Sequence, residues 1–370
     1  MYIEISNSFA DALKATPSQD MWTLLDYAMY AAKEGRHIIS CESRKCADVL
    51  VQLARYNSKK KLESFFRELK DGLSELRNIK SMLSHYVFLT SKETTDEDQS
   101  QSVKKSIEIG VNIGSFSDLW LKSRLLVENS EDGFFYQLIA DYEKKKNPTL
   151  DKVLLNFDIA HGGGVDIHNE FVRFSNEKRP LLCFVDSDKK YPSDSLGGTA
   201  SHFGNNEKKF IYLFHILDTC ELENLFFSKE FSANLNCGKN TSPIDQAIAN
   251  YESGYPSIRL YFDVKKGFLR KNVLCTPFLK KNLHASSTCV KRSVQCYKKC
   301  KRCEDYVIEG YCRTYFKCLK KKYDKKGVFN QKSFFKDADL LPSNISDQWN
   351  LIGKMMLDWG CGYKINSHGI

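Results

Sequence analysis

The sequence predicts an α/β protein: a parallel sheet flanked by a helical N-terminal domain and a basic helical C-terminal region. Three observations predict it. From about Leu119 to Leu217, short apolar runs alternate with amphipathic segments, the pattern of strands buried on both faces and joined by helices. Before that stretch, apolar residues recur at three- and four-residue spacing, as on one face of a helix. From Val264 to Asn330, 19 Lys and Arg face four acids, a net charge of +15 in a chain whose total is only +9. The expected division is residues 1–118, with a polar linker at about 92–105, then 119–263, then 264–370.

Composition bounds the class. With 370 residues, 42% hydrophobic and 27% charged, and only 20 Gly and 8 Pro, the chain has the make-up of a folded globular protein. Collagen, disorder and a membrane bundle are excluded on those figures. The longest apolar run, Phe210–Leu217, is too short for a spanning helix and contains His215. The opening Met1-Tyr2-Ile3-Glu4-Ile5 carries an acid where a secretion signal carries Lys or Arg, so a cytoplasmic protein is expected. In that compartment the 13 Cys are read as free, packed or metal-bound rather than as disulfides.

The N-terminal pattern runs through Leu62, Phe65, Phe66, Leu69, Leu73, Leu76, Ile79 and Leu83. Leu62, Leu69, Leu76 and Leu83 also form a seven-residue seam, interrupted at Gly72. Such a seam packs against a partner helix or, more commonly, against the protein's own core. Lys92–Lys105 has no apolar period and reads as a linker. Strands are then expected at Leu125–Val127, Val153–Phe157, Leu181–Val185 and Phe210–Leu217, with helices over Phe134–Tyr142 and Asn169–Glu177.

Acidic residues follow three of these strands. Glu128 and Asp132 come after the first, Asp186 and Asp188 after Leu181–Val185, and Glu221 and Glu223 after Phe210–Leu217. In parallel sheets functional groups collect at the carboxyl ends of strands. Crowded carboxylates repel unless a positive charge sits among them, and hard oxygen donors suit magnesium or manganese. If strand alternation continues through Asp186-Ser187-Asp188, both aspartates face the same side; the other reading is a turn and cap pair.

Taken together, Leu125-Leu126-Val127-Glu128-Asn129-Ser130-Glu131-Asp132, Phe184-Val185-Asp186-Ser187-Asp188 and Cys220-Glu221-Leu222-Glu223-Asn224-Leu225-Phe226 resemble the Toprim domain. The likeness is to its nuclease branch, the overcoming-lysogenisation-defect nucleases and the stand-alone Toprim effectors of bacterial anti-phage systems. It spans roughly Leu119 to Lys229. The resemblance implies a Toprim-like Rossmannoid sheet and a Mg2+- or Mn2+-dependent nuclease, an endonuclease of DNA or RNA. It assigns Glu128 to metal binding or proton handling and Asp132 to a supplementary ligand. Asp186 and Asp188 would hold metal, and Glu223 with Glu221 would complete a second site. Asn129 stands where the family usually has glycine, and one aspartate pair is present, which leaves one or two ions open. A pair of cations about 4 Å apart would activate water and stabilise the leaving oxygen.

Other features carry alternatives. Gly162-Gly163-Gly164, after His161 and before His168, reads as a phosphate-approaching loop or a plain strand-to-helix turn. Lys189 reads as a phosphate contact or a surface lysine. Gly238-Lys239-Asn240 lacks the P-loop pattern, so an ATPase or sensor, as in relatives of the family, would be a separate partner docked on the N-terminal region. A homo-oligomer is a further expectation.

Cys300-x-x-Cys303 has zinc-ligand spacing, and Cys296 and Cys312 are candidate co-ligands. However, Cys289, Cys296, Cys300 and Cys303 fall on one face of a helix, where packed thiols explain them without metal. Lys291, Arg292, Lys298, Lys299, Lys301 and Arg302 would bind nucleic-acid phosphate, with Tyr311, Tyr315 and Phe316 either stacking on bases or filling a core. The competing function is a non-catalytic nucleic-acid-binding or scaffold subunit with a degenerate sheet.

Overall fold

The computed structural model describes residues 1–92, 106–110, 117–203, 211–233, 235, 241–252, 254–269, 273, 276–282, 306–311 and 313–363. Residues 93–105 of the expected linker, the basic residues 291–302 and Cys289, Cys296, Cys300, Cys303 and Cys312 lie outside them. The protein is mixed α/β. It divides into two units, the first comprising Met1–Phe184, His202–His215 and Trp349–Ile370, the second Val185–Ser201 and Ile216–Gln348.

The first unit opens with an α/β layer where the sequence suggested helices alone. Strands β1 (Tyr2–Ile5), β2 (Ile38–Cys41), β3 (Tyr86–Leu89) and β4 (Ser106–Ile109) form a parallel sheet in the order β2-β1-β3-β4. Its helices are α1 (Asn7–Ala15), α2 (Gln19–Lys33), α3 (Arg44–Tyr56), α4 (Lys60–Asp71) and α5 (Leu73–Met82). The strands escaped the sequence reading because each is four residues long and two carry a polar residue inward, Glu4 and Ser40. Glu4 is neutralised by Lys80 Nζ at 2.5 Å, whose ammonium also sits 4.1 Å from the Tyr86 ring centroid. Ser6, Ser18 and Ser43 cap α1, α2 and α3 by accepting from backbone N–H groups. The seam from Leu62 to Leu83 is buried in this unit's core, and Gly72 marks the break between α4 and α5.

The second sheet of this unit has the order β7-β5-β8-β9, with β5 (Ser123–Val127), β7 (Phe157–His161), β8 (Leu181–Val185) and β9 (Tyr212–Ile216). β5 pairs in parallel with both β7 and β8. A helix over Asp132–Lys145 links β5 to the next strands, and one over Ile167–Ser175 links β7 to β8. The first buries Phe135, Tyr136 and Ile139, and Tyr136 stacks on Phe184 of β8 at 4.3 Å. The strand expected at Val153–Phe157 is two strands. β6 (Val153–Leu155) pairs antiparallel with β14 (Cys361–Tyr363), and β7 starts at Phe157. Asn156 makes the break, its backbone N–H bonded to Gly360 and its side chain to Gly35. β7 is an edge strand with exposed Asp158 and Ile159, so its sequence lacks the apolar run of β8.

The expected boundary near residue 118 therefore lies inside the first unit. So does the last part of the expected basic helical region, because Trp349, Trp359 and β14 join that core. The second unit contains strand pairs as well as helices. β10 (Gly267–Leu269) pairs with β11 (Tyr306–Glu309), and β12 (Asp324–Lys325) with β13 (Val328–Phe329). Lys326 and Gly327 both take positive φ in the latter hairpin, as a two-residue turn requires. Its core is aromatic: Phe227 stacks on Phe262 at 5.3 Å, and Phe231 on Phe334 at 4.9 Å. Tyr311, Tyr315 and Phe316 are buried in this core, which excludes base stacking by these rings.

Candidate functional site

The second unit gathers carboxylates from two places in the chain. β8 ends at Val185, and Asp186 accepts at Oδ1 from the Leu222 N–H at 2.9 Å. Ser187 is buried, its hydroxyl donating to Thr219 O at 2.5 Å. Asp188 then takes a left-handed backbone, φ 56°, with its N–H on Cys220 O at 2.8 Å. That left-handed residue ends the strand at a turn, the other of the two readings that the sequence allows for Asp186-Ser187-Asp188. Asp188 is exposed and lies against Gly197, where a Cβ would come within 2.3 Å of its Oδ2.

Beyond β9, a short helical turn over Leu222–Phe226 fixes two glutamates. The Glu221 side chain accepts from Asn224 N–H while Asn224 Oδ1 accepts from Glu221 N–H at 2.9 Å. Asn224 is fully buried and also donates to Arg259 O and Phe262 O. With the turn so anchored, Glu221 and Glu223 are both buried, and Lys265 Nζ sits 3.4 Å from Glu221 Oε2 and 3.0 Å from Glu223 Oε1. Beside them Lys190 Nζ lies 3.3 Å from Cys220 Sγ and 3.7 Å from Asp263 Oδ2.

The electrostatics follow from burial and from the ratio of charges. Burial lifts the Glu223 carboxyl to about 7, with Lys265 pulling the other way and Glu221 adding to the rise. Burial raises Glu221 too, again against Lys265. For Lys265 burial favours loss of the proton, but Glu223, Glu221 and Asp186 outweigh it and the ammonium is held more firmly than usual. Two ammoniums, Lys265 and Lys190, face the four carboxylates of Asp186, Glu221, Glu223 and Asp263, and burial leaves Glu223 with reason to keep its proton near neutrality.

The hard oxygens of Asp186, Glu221 and Glu223 are the donor type that magnesium or manganese takes. As they stand they do not fit a metal. Their charge is answered by Lys265, and among the described residues no three His, Cys, Asp or Glu side chains converge on one cation position.

Comparison with protein-family models, with curated proteins and with solved structures finds no match.

Glu128 and Asp132 belong to the first unit. Glu128 follows β5, and its charge adds to burial in pushing up the Cys183 thiol. Asp132 is buried, and its Oδ2 accepts from Asn129 N–H at 2.9 Å, so its carboxylate closes the turn after β5. Gly163 and Gly164 take positive φ, and a Cβ on Gly162 would meet Ile167 at 2.4 Å. The N–H groups of Gly162 and Gly164 bond to the carbonyls of Val127 and Glu128, which makes the glycine run a strand-to-helix turn. His161 is exposed; His168 lies 5.7 Å from His202 and edge-on to Phe203.

Sequence reasoning found the carboxylates and missed their partners. The sequence singles out Lys189, whereas the lysines paired with carboxylates are Lys190, 3.7 Å from Asp263, and Lys265, beside Glu221 and Glu223. Asp263 and Lys265 straddle the boundary drawn at 263/264 on charge composition, so neither was associated with the site. Thr219-Cys220 before Glu221 and the asparagine at 224 were the available signals of a pinned turn.

Proposed function

We propose that the chain is a nuclease that hydrolyses phosphodiester bonds in DNA or RNA, with a Toprim-like sheet and its acidic residues after β8 and β9 at work. The observation that carries this reading is the meeting of Asp186, Glu221 and Glu223 around Lys265. Glu223, which keeps its proton to about pH 7, is suited to exchange a proton with an attacking water or a leaving oxygen. Lys190 and Lys265 supply positive charge for a phosphate. The resemblance adds magnesium or manganese, a cytoplasmic role as effector of a bacterial anti-phage system, and a separate ATPase or sensor partner; these belong to the same proposal.

A second reading has its own support. Lysine-neutralised carboxylates suit a non-catalytic nucleic-acid-binding or scaffold subunit. Incubation of the full chain with plasmid DNA, single-stranded DNA and transfer RNA, with and without Mg2+, separates the two. The nuclease reading expects Mg2+-stimulated cleavage that Asp186→Ala reduces at least about a hundredfold while binding persists. Binding without cleavage under every condition, with steep loss of affinity in salt, supports the second reading.

A further inference from the structure

The second unit carries a run of positive charge that its own fold does not use. Between Arg313 and Lys336 nine Lys and Arg stand against one acid, Asp324. Lys322 is taken up internally: its ammonium donates to the carbonyls of Glu230 and Phe231 and lies 3.4 Å from Asp337 Oδ2. Lys317, Lys321, Lys325 and Lys326 are exposed, and among the described residues no carboxylate pairs with any of them. Asp324 Oδ1 accepts from the Gly327 N–H at 2.6 Å, so this carboxylate closes the β12–β13 turn instead of answering the lysines beside it.

Local energetics run against two of these positions. Lys317 stands in the first turn of the helix over Tyr315–Lys322, where the helix dipole disfavours a cation and no acid offsets it, and Lys321 repels it from one turn further along the same face. Lys326 opens the two-residue turn between β12 and β13 with a left-handed backbone, φ 58°, a place that favours Asn, Asp or Gly. The foot of this hairpin is anchored: Tyr323 and Phe329 lie 6.0 Å apart, Phe329 lies 5.5 Å from Phe334, and the Asn330 N–H bonds to Tyr323 O at 2.7 Å. Its tip presents Lys325, Lys326 and Val328, the last 69% exposed. The apolar residues of the helix, Tyr315, Phe316 and Leu319, are buried, so the charge is not accompanied by the apolar face that a membrane-surface helix needs. Unanswered lysines on a two-stranded ribbon suit a nucleic-acid duplex, whose phosphates attract them and whose major groove, in B-DNA, admits such a ribbon.

We propose that the helix over Tyr315–Lys322 and the β12–β13 hairpin form a docking surface for a nucleic-acid duplex, with Lys317, Lys321 and Lys325 on backbone phosphates and the Lys326 tip in a groove. This rests on the nucleic-acid reading that the nuclease and the binding-subunit alternatives share, and it requires no metal. The surface is separate in sequence from the basic residues 291–302. Its contacts are to phosphate, so they fix position on the duplex and do not select a base sequence.

The test is fluorescence anisotropy of a labelled short DNA duplex and of the matching RNA duplex, titrated with the full chain in EDTA over a range of salt concentrations. Lys317→Gln, Lys321→Gln, Lys325→Gln and Lys326→Gln combined should weaken binding about a hundredfold or more at low salt. On DNA the slope of log affinity against log salt should become shallower by about 3 to 4, one phosphate contact for each lysine. Lys326→Gly relaxes the turn, so it should melt no lower than wild type and yet bind about threefold or more weakly. Lys326→Arg, which keeps the charge, should bind as wild type does. The duplex that shows the larger loss is the one this surface takes. Wild-type affinity and salt slope in the folded combined variant overturn the docking surface and leave the nucleic-acid reading intact. Unchanged affinity in Lys326→Gly overturns the role of the tip. No binding of either duplex by wild type overturns both the surface and the nucleic-acid reading. Binding to phosphatidylserine vesicles that the combined variant loses, with duplex binding unchanged, overturns the proposal in favour of a membrane surface.

Discussion

Asp358 offers a quantitative test of how the first unit is held together. It lies in the helix over Ser343–Gly360, is 3% exposed, and accepts at Oδ1 from the Ser84 N–H at 2.8 Å, where α5 gives way to β3. Burial pushes its carboxyl up to about 7, partly offset by the Ser84 and His85 N–H groups. The folded pKa thus lies above the unfolded value of 3.8, so the folded protein keeps a proton that the unfolded chain has released. Stability from this group is greatest at the acid end, falls as pH rises from about 4 to about 7, and is level above. The full fall is about 4 kcal/mol, at about 1.4 kcal/mol per pH unit within the window.

Asp358→Asn keeps an acceptor for Ser84, removes the titration and weakens the bond from His85, which costs about 1 kcal/mol. The variant should therefore be less stable than wild type by about 1 kcal/mol at pH 4 and more stable by about 3 kcal/mol at pH 8, with the curves crossing between. The assay is urea unfolding followed by tryptophan fluorescence. All four tryptophans, Trp22, Trp120, Trp349 and Trp359, lie in the first unit and report on it specifically. Parallel pH dependences for wild type and variant would refute the buried-carboxyl argument.

Two further outcomes test the second unit. Asn224→Ala removes the acceptor of Glu221 N–H and the donor to two buried carbonyls, and should cost about 2–4 kcal/mol, seen as faster proteolysis within residues 216–348. Gly197→Ala puts a methyl 2.4 Å from Asp188 Cβ, so the loop must shift. The expected cost is about 1–3 kcal/mol, and amide-exchange mass spectrometry should show faster exchange over residues 186–198.

Much of the fold was legible where burial is two-sided. Leu181–Val185 is five apolar residues in a row and was read to the residue, because a central strand must be apolar on both faces. Phe157–His161 was not, since an edge strand keeps polar residues on one side. The N-terminal strands were hidden by their shortness and by Glu4, whose neutralising Lys80 is remote in sequence. The same limit applies at the site. Asp186, Glu221 and Glu223 stand out because they follow strands, whereas the lysines that meet them are placed by tertiary structure. A boundary drawn from charge composition passed between Asp263 and Lys265, two residues that belong to one cluster.

The pairing of β14 with β6 has a consequence for biosynthesis. A ribosome must deliver residues as late as Cys361–Tyr363 before β6 acquires its partner, and before Trp349 and Trp359 reach a core begun by β1. Until then the emerging chain carries an unmatched strand edge and uncovered indole pockets, the condition in which holding chaperones are recruited. Messages truncated ahead of residue 349 should accordingly yield aggregates rather than a trimmed first unit.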